Sequence, residues 1–256
     1  MLYERTDYTG SLRVLENIPA PDAESLELSG KNHYMLGDYH RAQEAFEKAA
    51  GLNPASSDYA LWLGRTYGRR AETGNRLFAA PNALHARQWF EKAVALDPKN
   101  AEALNDLFDY YLNAPSILGG GIEKAEAIAN RIANERPAEY QFEQAQLAEH
   151  RHQYGEAETH LRHAMELAPA QVGRVLDLAG FLAKRKQFAE SDALFARAAR
   201  HSPATPRVAF AHARALIEAH RDPDQARVLL RQYLSASLTP DDPPKQAAEK
   251  LLKQLG

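Results

Sequence analysis

Histidine is the residue type in this sequence that most invites a chemical interpretation. The 256 residues include ten histidines. His160 and His163 stand three residues apart, a spacing that places both side chains on one face of a helix, and His150 and His152 flank a predicted turn. No third or fourth ligand can be assigned to them, and the HExxH pattern of helical zinc sites is absent. We therefore interpret the histidines as structural or solvent-exposed and predict no metal site.

The other motifs that suggest chemistry are incomplete. Gly119-Gly120-Gly121 precedes a predicted helix, where backbone amides can bind phosphate, but no strand precedes it, no Gly-Lys-Ser/Thr follows, and Glu123 would repel the anion. His220-Arg221-Asp222 is similar to a kinase catalytic loop, without the accompanying glycine-rich loop. The chain has no cysteine, which excludes thiol catalysis, disulfides and thiolate zinc sites. The sequence predicts neither an enzyme nor a cofactor site.

Charge and hydropathy exclude further classes of partner. The net charge is −3, which gives no overall basis for nucleic-acid binding. No apolar run approaches the ~20 residues that cross a bilayer, and the first residues lack the apolar segment of a signal peptide. We predict no nucleic-acid partner and no insertion into a membrane. A chain without cysteine suits the cytoplasm and the periplasm equally, so the compartment stays open.

A recurring spacing of four residues, the last of which is proline, occurs five times and predicts the helices that position the residues discussed above. In each set the first residue is small, the second is hydrophobic and lies four positions later, and the third is small or aliphatic and lies three positions further. These three residues share one helical face. The proline comes twelve residues after the first member and cannot continue the helix. The sets are Ala42, Phe46, Ala49 and Pro54; Ala86, Phe90, Ala93 and Pro98; Ala125, Ala129, Ile132 and Pro137; Ala157, Leu161, Ala164 and Pro169; and Ser191, Phe195, Ala198 and Pro203.

A second helix is predicted upstream of each set, with a polar turn and an aromatic residue between the two. Gly37-Asp38-Tyr39, His152-Gln153-Tyr154 and Lys186-Gln187-Phe188 are such turns. The small residues allow the paired helices to approach closely, and the large ones fill the space between them. The pattern predicts thirteen or fourteen helices in antiparallel pairs.

These residues resemble the tetratricopeptide repeat, whose consensus carries leucine-glycine, a Gly-Asp-Tyr turn, alanine, phenylalanine, alanine and proline. The best local matches are LGDYHRAQEAFEKAAGLNP, residues 36–54, and WFEKAVALDP, residues 89–98. The resemblance implies an all-α fold, a right-handed superhelical solenoid of helix-turn-helix repeats. The sequence is similar to bacterial proteins of this family with no assigned role.

The resemblance divides the chain into units of one solenoid domain over residues 1–256. We predict a partial repeat at 1–22, a capping helix at 243–255, and repeats at 23–56, 57–100, 101–137, 138–171, 172–205 and 206–240. The partial repeat lacks its partner helix, so we expect the N-terminus to be truncated or processed. Repeats two and three exceed the usual period and carry insertions at 69–81 and 113–121. Because both lie in the turn inside a repeat, we expect them on one edge.

The resemblance also implies where a partner binds. The concave groove of the family is lined by the first helix of each pair, and its mixture of polar and aromatic side chains suits an extended peptide. In the related clamp for chaperone tails an asparagine occupies the position where this chain has Trp62, which argues against that role. Carried across, the predicted groove residues are Lys31, Tyr34, Arg65, Arg69, Asn105, Asp109, Phe142, Gln146, His150 and Arg214.

Two hypotheses about function follow. The first is a non-enzymatic scaffold that binds a peptide or a partner protein in the groove. The second is a regulatory or assembly subunit that docks through the solenoid edge and the 69–81 and 113–121 insertions, or that self-associates as a homo-oligomer. Neither hypothesis requires a cofactor.

Overall fold

The computed structural model describes residues 2–256, and over that range the chain is α-helical with no strand. The prediction of an all-α protein with thirteen or fourteen helices is confirmed. The fourteen helices of the described residues are α1 Tyr8–Leu15, α2 Ala23–Met35, α3 Tyr39–Leu52, α4 Ser57–Thr73, α5 Ala79–Leu96, α6 Ala101–Asn113, α7 Ile122–Ile132, α8 Pro137–His150, α9 Tyr154–Leu167, α10 Val172–Lys184, α11 Phe188–His201, α12 Pro206–Glu218, α13 Pro223–Ser235 and α14 Lys245–Gln254. None of these helices is long and apolar enough to cross a bilayer.

The predicted turns share a backbone conformation that lets one helix follow another directly. Gly37, His152 and Lys186 each have a positive φ, of 79°, 60° and 63°. A single left-handed residue reverses the chain after a helix. After Gly37, the side chain of Asp38 accepts a hydrogen bond from the amide of Arg41 at 3.2 Å and caps α3. The helix pairs therefore follow from local sequence.

The chain forms two compact units, which we call the N-terminal unit, up to residue 131, and the C-terminal unit, from residue 132. In the N-terminal unit α2 pairs with α3 and α4 with α5, and α4 also contacts α2 and α6. In the C-terminal unit α8 pairs with α9, α10 with α11 and α12 with α13, while α10 contacts α12. We call α2, α4, α6, α8, α10 and α12 the leading helices.

The small and large residues of the recurring spacing form the core. Ala42, Phe46 and Ala49 are fully buried, which confirms that they share the inner face of α3. Gly30 of α2 lies so close that an added Cβ would be 2.7 Å from the Phe46 ring. Gly64 of α4 stands against Phe90 in the same way, at 2.5 Å. Helix pairs of this kind need a residue without a side chain at the contact.

The prediction that Pro137 closes a helical run was wrong. α7 already ends at Ile132, and Pro137 is the first residue of α8. Proline fits this position because the first amide of a helix has no intrahelical partner and the fixed φ of proline is helical. The other four prolines of the spacing lie between helices.

The insertion at 69–81 is mostly helical rather than a loop. α4 continues to Thr73 and α5 begins at Ala79, so only residues 74–78 are non-α, and Arg76–Phe78 among them form a 3-10 turn. The extra residues therefore lengthen the two helices. The 113–121 insertion contains a 3-10 turn, Ser116–Leu118, and reaches the start of α7.

Candidate binding surface

Arg65 is the centre of a charged network on the leading helices of the N-terminal unit. Its Nε lies 2.5 Å from Oδ2 of Asp106 on α6, and its Nη1 lies 2.8 Å from Oε2 of Glu102. The guanidinium also stands 5.0 Å from the ring centroid of Trp62. The ion pairs join α4 to α6, so this predicted groove residue has a structural role.

Burial acts on both members of the Arg65–Asp106 pair. It lowers the pKa of Arg65, but the hydrogen bonds and charges of Asp106 and Glu102 outweigh it, and the net shift is upward. Burial raises the pKa of Asp106, and Arg65 offsets this only in part. The shift of Arg65 favours its charged form, whereas that of Asp106 disfavours its charged form, as expected for an ion pair that is partly desolvated. Reversing the charge at Arg65 would therefore disturb the packing, and a loss of binding in that variant would not identify a contact.

Aromatic rings cover the neighbouring part of the same face. The ring of Tyr34 lies 5.3 Å from that of Trp62 and 5.4 Å from that of Tyr39, both edge-on. Burial raises the pKa of Tyr34 to about 12. Arg69 donates a hydrogen bond from Nε to the Tyr39 hydroxyl at 3.2 Å, and Nζ of Lys31 stands 5.3 Å from the Trp62 centroid. Trp62 is thus a packing residue whose faces are already occupied.

A cavity of about 460 Å³, the N-terminal cavity, opens beside this network. Tyr34, Arg65, Arg69 and Asp109 of the predicted groove residues line it. The sequence did not indicate most of the others, because they come from helices and loops whose juxtaposition no single repeat encodes. They are Gly68, Ala71, Glu72, Ala83, Ala86, Phe90, Asp106, Tyr110, Asn113, Ala114, Pro115 and Leu118.

Arg174 has the corresponding central place on the C-terminal unit. Its Nη2 lies 3.1 Å from Oε2 of Glu139 on α8, and its guanidinium stands 4.2 Å from the ring centroid of Phe142. Its Nη1 lies 3.4 Å from Oδ2 of Asp177, one turn along α10. Arg174 therefore joins α8 to α10, as Arg65 joins α4 to α6. The sequence pattern did not single it out.

The C-terminal cavity, of about 570 Å³, lies on the leading helices α8, α10 and α12. Phe142, Gln146 and Arg214 of the predicted groove residues line it. Asp177 is also in the lining, with its side chain 29% exposed. Burial raises the pKa of Asp177 to about 6, although the nearby Arg174 lowers it. Gly180 is part of the same wall, and a Cβ added there would meet no atom within 4 Å.

Three of the predicted groove residues line neither cavity. Lys31 lies beside Trp62, paired at 2.6 Å with Glu27, Asn105 is half-buried on α6, and His150 is the exposed last residue of α8. A further cavity of about 630 Å³ lies among α11, α12 and α13, and none of the predicted residues is in its lining.

The histidines do not converge. Nδ1 of His160 lies 2.6 Å from Oε1 of Gln141, and His163 is exposed on the same helix. Across residues 2–256, no group of three or more histidine, aspartate or glutamate side chains is arranged to hold a metal ion.

Comparison with known proteins identifies one family model and many solved structures with the same fold. Residues 23–56 match the model of the tetratricopeptide repeat. Comparison with curated protein sequences gives no match. Among solved structures, a tetratricopeptide repeat protein of Parabacteroides merdae is 15% identical with a TM-score of 0.62, over 97% of this chain and 90% of that one.

Two further structures show the same similarity. A thermophilic tetratricopeptide repeat protein of Thermus thermophilus is 21% identical with a TM-score of 0.57, over 70% of this chain and 91% of that one. A chain of the APC/C hetero-tetramer Cut9–Hcn1 is 15% identical with a TM-score of 0.56, over 99% of this chain and 47% of that one. Identities this low establish the fold alone. Residues 23–56 therefore match the tetratricopeptide repeat, and the chain has an all-α repeat fold similar to that of the solved structures of such proteins.

Proposed function

We propose that this protein is a non-catalytic scaffold that binds an extended segment of a partner protein on its leading helices. The observation that carries the proposal is that each unit has a cavity on its own leading helices, in which predicted groove residues come together. Tyr34, Arg69 and Asp109 meet in the N-terminal cavity, and Phe142 and Gln146 meet in the C-terminal one. Cavities of this size with mixed polar and aromatic walls are typical of binding sites.

The repeat fold supports the proposal that the partner is a protein. Tetratricopeptide repeat proteins generally serve as interaction scaffolds, and the similar Cut9–Hcn1 structure is itself a hetero-tetramer. The central arginines of the two units, Arg65 and Arg174, form ion pairs with carboxylates of neighbouring helices. An extended segment with few net charges suits such a surface.

The absence of cysteine gives a direct test. Single cysteines at Asn113 in the N-terminal cavity, at Gln146 in the C-terminal cavity and at exposed Glu166 on α9 would each be the only thiol in the protein. Each is labelled with a photoreactive maleimide and mixed with peptides selected on the unmodified protein from displayed random dodecapeptides. We expect cross-links from position 113 or 146 and none from 166. Cross-linking confined to position 166 would exclude the leading-helix surface.

The second hypothesis, docking through the insertions, has one specific observation in its favour. Leu77, Phe78 and Ile117 are large apolar side chains that are 80%, 60% and 88% exposed. Such residues mark interaction sites when they cluster. A Leu77→Ser, Ile117→Ser variant should sediment as a smaller species than the unmodified protein if these residues support self-association. Unchanged sedimentation together with unchanged peptide cross-linking would reject this role.

A further inference from the structure

The N-terminal cavity has walls that the preceding repeat lacks. α4 and α5 have 17 and 18 residues, whereas α2 and α3 of the preceding repeat have 13 and 14. The lengthened helices carry Gly68, Ala71 and Ala83, which all line the cavity, and Ala71 lies within the insertion itself. The first insertion thus adds residues to a lining that the generic repeat positions also supply.

Half of the sixteen lining residues are glycine or have apolar side chains. Gly68, Ala71 and Ala83 come from the lengthened helices, and Phe90 is in the same lining. A Cβ added at Gly68 would meet no atom within 4 Å. The interior therefore has room for an apolar group and offers it apolar contacts.

The second insertion closes the opposite side as an ordered loop. The Tyr110 hydroxyl donates a hydrogen bond to the carbonyl oxygen of Leu118 at 2.9 Å, and Nη1 of Arg87 donates to the same oxygen at 3.4 Å. The amide of Gly121 donates to the carbonyl oxygen of Tyr111 at 2.8 Å. Pro115 and Leu118 of this loop line the cavity. Because the protein's own hydrogen bonds hold this loop, binding has little ordering left to do there.

The charged groups of the lining are already engaged within the protein. Arg65 pairs with Asp106, and Arg69 pairs with Glu72 at 2.5 Å. Asp109 also has an interaction of its own. A charged side chain placed inside would have to compete with these pairs for a counter-charge, and burying it would be costly. Because these charges are already paired, the cavity favours an uncharged occupant.

We infer that the N-terminal cavity binds one large uncharged side chain, aromatic or aliphatic, of the partner segment. The inference rests on the proposed function and names the ligand chemistry of that site. A volume of about 460 Å³ is within the range of pockets that enclose a ligand group. The cavity would thus select the partner by its apolar anchor, and the polar side chains of the lining would position the flanking backbone.

Three glycine-to-leucine variants test the inference, because each glycine lies in a helix with open space at its Cβ position. Gly68→Leu fills the N-terminal cavity, Gly180→Leu fills the C-terminal cavity, and Gly155→Leu lies in neither. Dodecapeptides are selected on the unmodified protein from a displayed random library, and their affinity for each variant is measured by fluorescence anisotropy. Circular dichroism on the same samples checks that each variant is folded.

We expect the selected peptides to share a Phe, Trp, Leu or Met. We expect them to bind Gly68→Leu at least about tenfold more weakly, since the burial of one large apolar side chain is lost. They should bind Gly155→Leu normally. Replacing the shared residue with Ala in the peptide should weaken binding to the unmodified protein and have little further effect on Gly68→Leu.

The other outcomes separate this inference from the proposed function. Loss of binding only with Gly180→Leu would overturn the inference and leave a peptide-binding surface on the C-terminal unit. The inference would also be overturned if Gly68→Leu lost binding to peptides that share a charged residue instead of an apolar one. If no peptide is selected, or if all three variants bind alike, both the inference and the proposed function fail.

Discussion

At the scale of single residues, glycines in the leading helices have two distinct roles. Gly30 lies where a Cβ would be 2.7 Å from the buried Phe46 ring, whereas Gly68 faces open space. We expect Gly30→Ala to lower the free energy of unfolding by about 1–3 kcal/mol, because the core is overpacked. Gly68→Ala should raise it by up to about 1 kcal/mol through helix propensity. Urea unfolding followed by circular dichroism measures both changes.

Gly64→Ala serves as the control for this pair, since its Cβ would stand 2.5 Å from the Phe90 ring. It should behave like Gly30→Ala. If Gly30→Ala and Gly68→Ala shifted stability equally, the close approach of the helices would not be what requires glycine at position 30.

Asp177 gives a pH-dependent prediction. Burial raises its pKa from 3.8 to about 6, so the folded protein holds this proton more tightly than the unfolded chain does. Its contribution to stability is therefore largest below about pH 4 and is lost as the pH rises through about 6. We expect Asp177→Asn to be more stable than the unmodified protein by about 1–2 kcal/mol at pH 7.5, with a difference that shrinks toward pH 4.5. Urea unfolding at several pH values measures this.

Asp224→Asn is the matched control, because that carboxylate is 91% exposed on α13. A pH trend that the two variants shared would not report on the burial of Asp177. The Asp177 interpretation would be contradicted if Asp177→Asn were less stable than the unmodified protein at pH 7.5 and the deficit shrank toward acid pH, which is the behaviour of a carboxylate stabilised mainly by Arg174.

At the scale of elements, one hydroxyl contributes to holding the loop of the second insertion. Tyr110 donates to the Leu118 carbonyl at 2.9 Å, and Tyr110→Phe removes this bond without changing the shape of the ring. We expect the variant to lose about 0.5–1.5 kcal/mol in stability. We also expect the substitution to accelerate amide exchange more at Gly119–Gly121 than in α6. Hydrogen exchange read by mass spectrometry resolves the two regions. Unchanged exchange in the loop would mean that other bonds hold it.

The elements also show which features the sequence could predict. The recurring spacing on α3 is a property of one helix, so the burial of Ala42 and Phe46 followed directly from it. Pro137 was misassigned because proline both follows helices and begins them. The pair of Arg65 and Asp106 spans 41 residues and depends on how α4 and α6 align. Spacing within one repeat carries no information on that alignment.

The same reasoning explains why the candidate site was only partly foreseen. Family positions on the leading helices led to Tyr34 and Phe142, which line cavities, but also to Lys31 and His150, which do not. The cavity wall at Ala71 depends on the helical course of the first insertion. The sequence revealed this insertion by its length alone.

At the scale of the whole molecule, the fold should lose stability locally rather than everywhere at once. In the C-terminal unit one cluster joins Leu178 and Leu182 of α10 to residues of α8, α9, α11 and α12, and a second joins Leu230 of α13 to Ala248 of α14. Repeat proteins behave approximately as a sum of nearest-neighbour terms. A cavity in the first cluster should therefore weaken its own helices most.

Leu182→Ala makes this testable, because Leu182 is fully buried on α10. We expect a loss of about 2–5 kcal/mol, with amide exchange accelerated most in α9, α10 and α11 and least in α13 and α14. The matched variant Leu230→Ala should reverse that order, because its side chain belongs to the second cluster. Hydrogen exchange under native conditions reports both patterns. Equal acceleration across all these helices in both variants would instead show that the unit opens in a single cooperative step, and nearest-neighbour coupling would then not describe its stability.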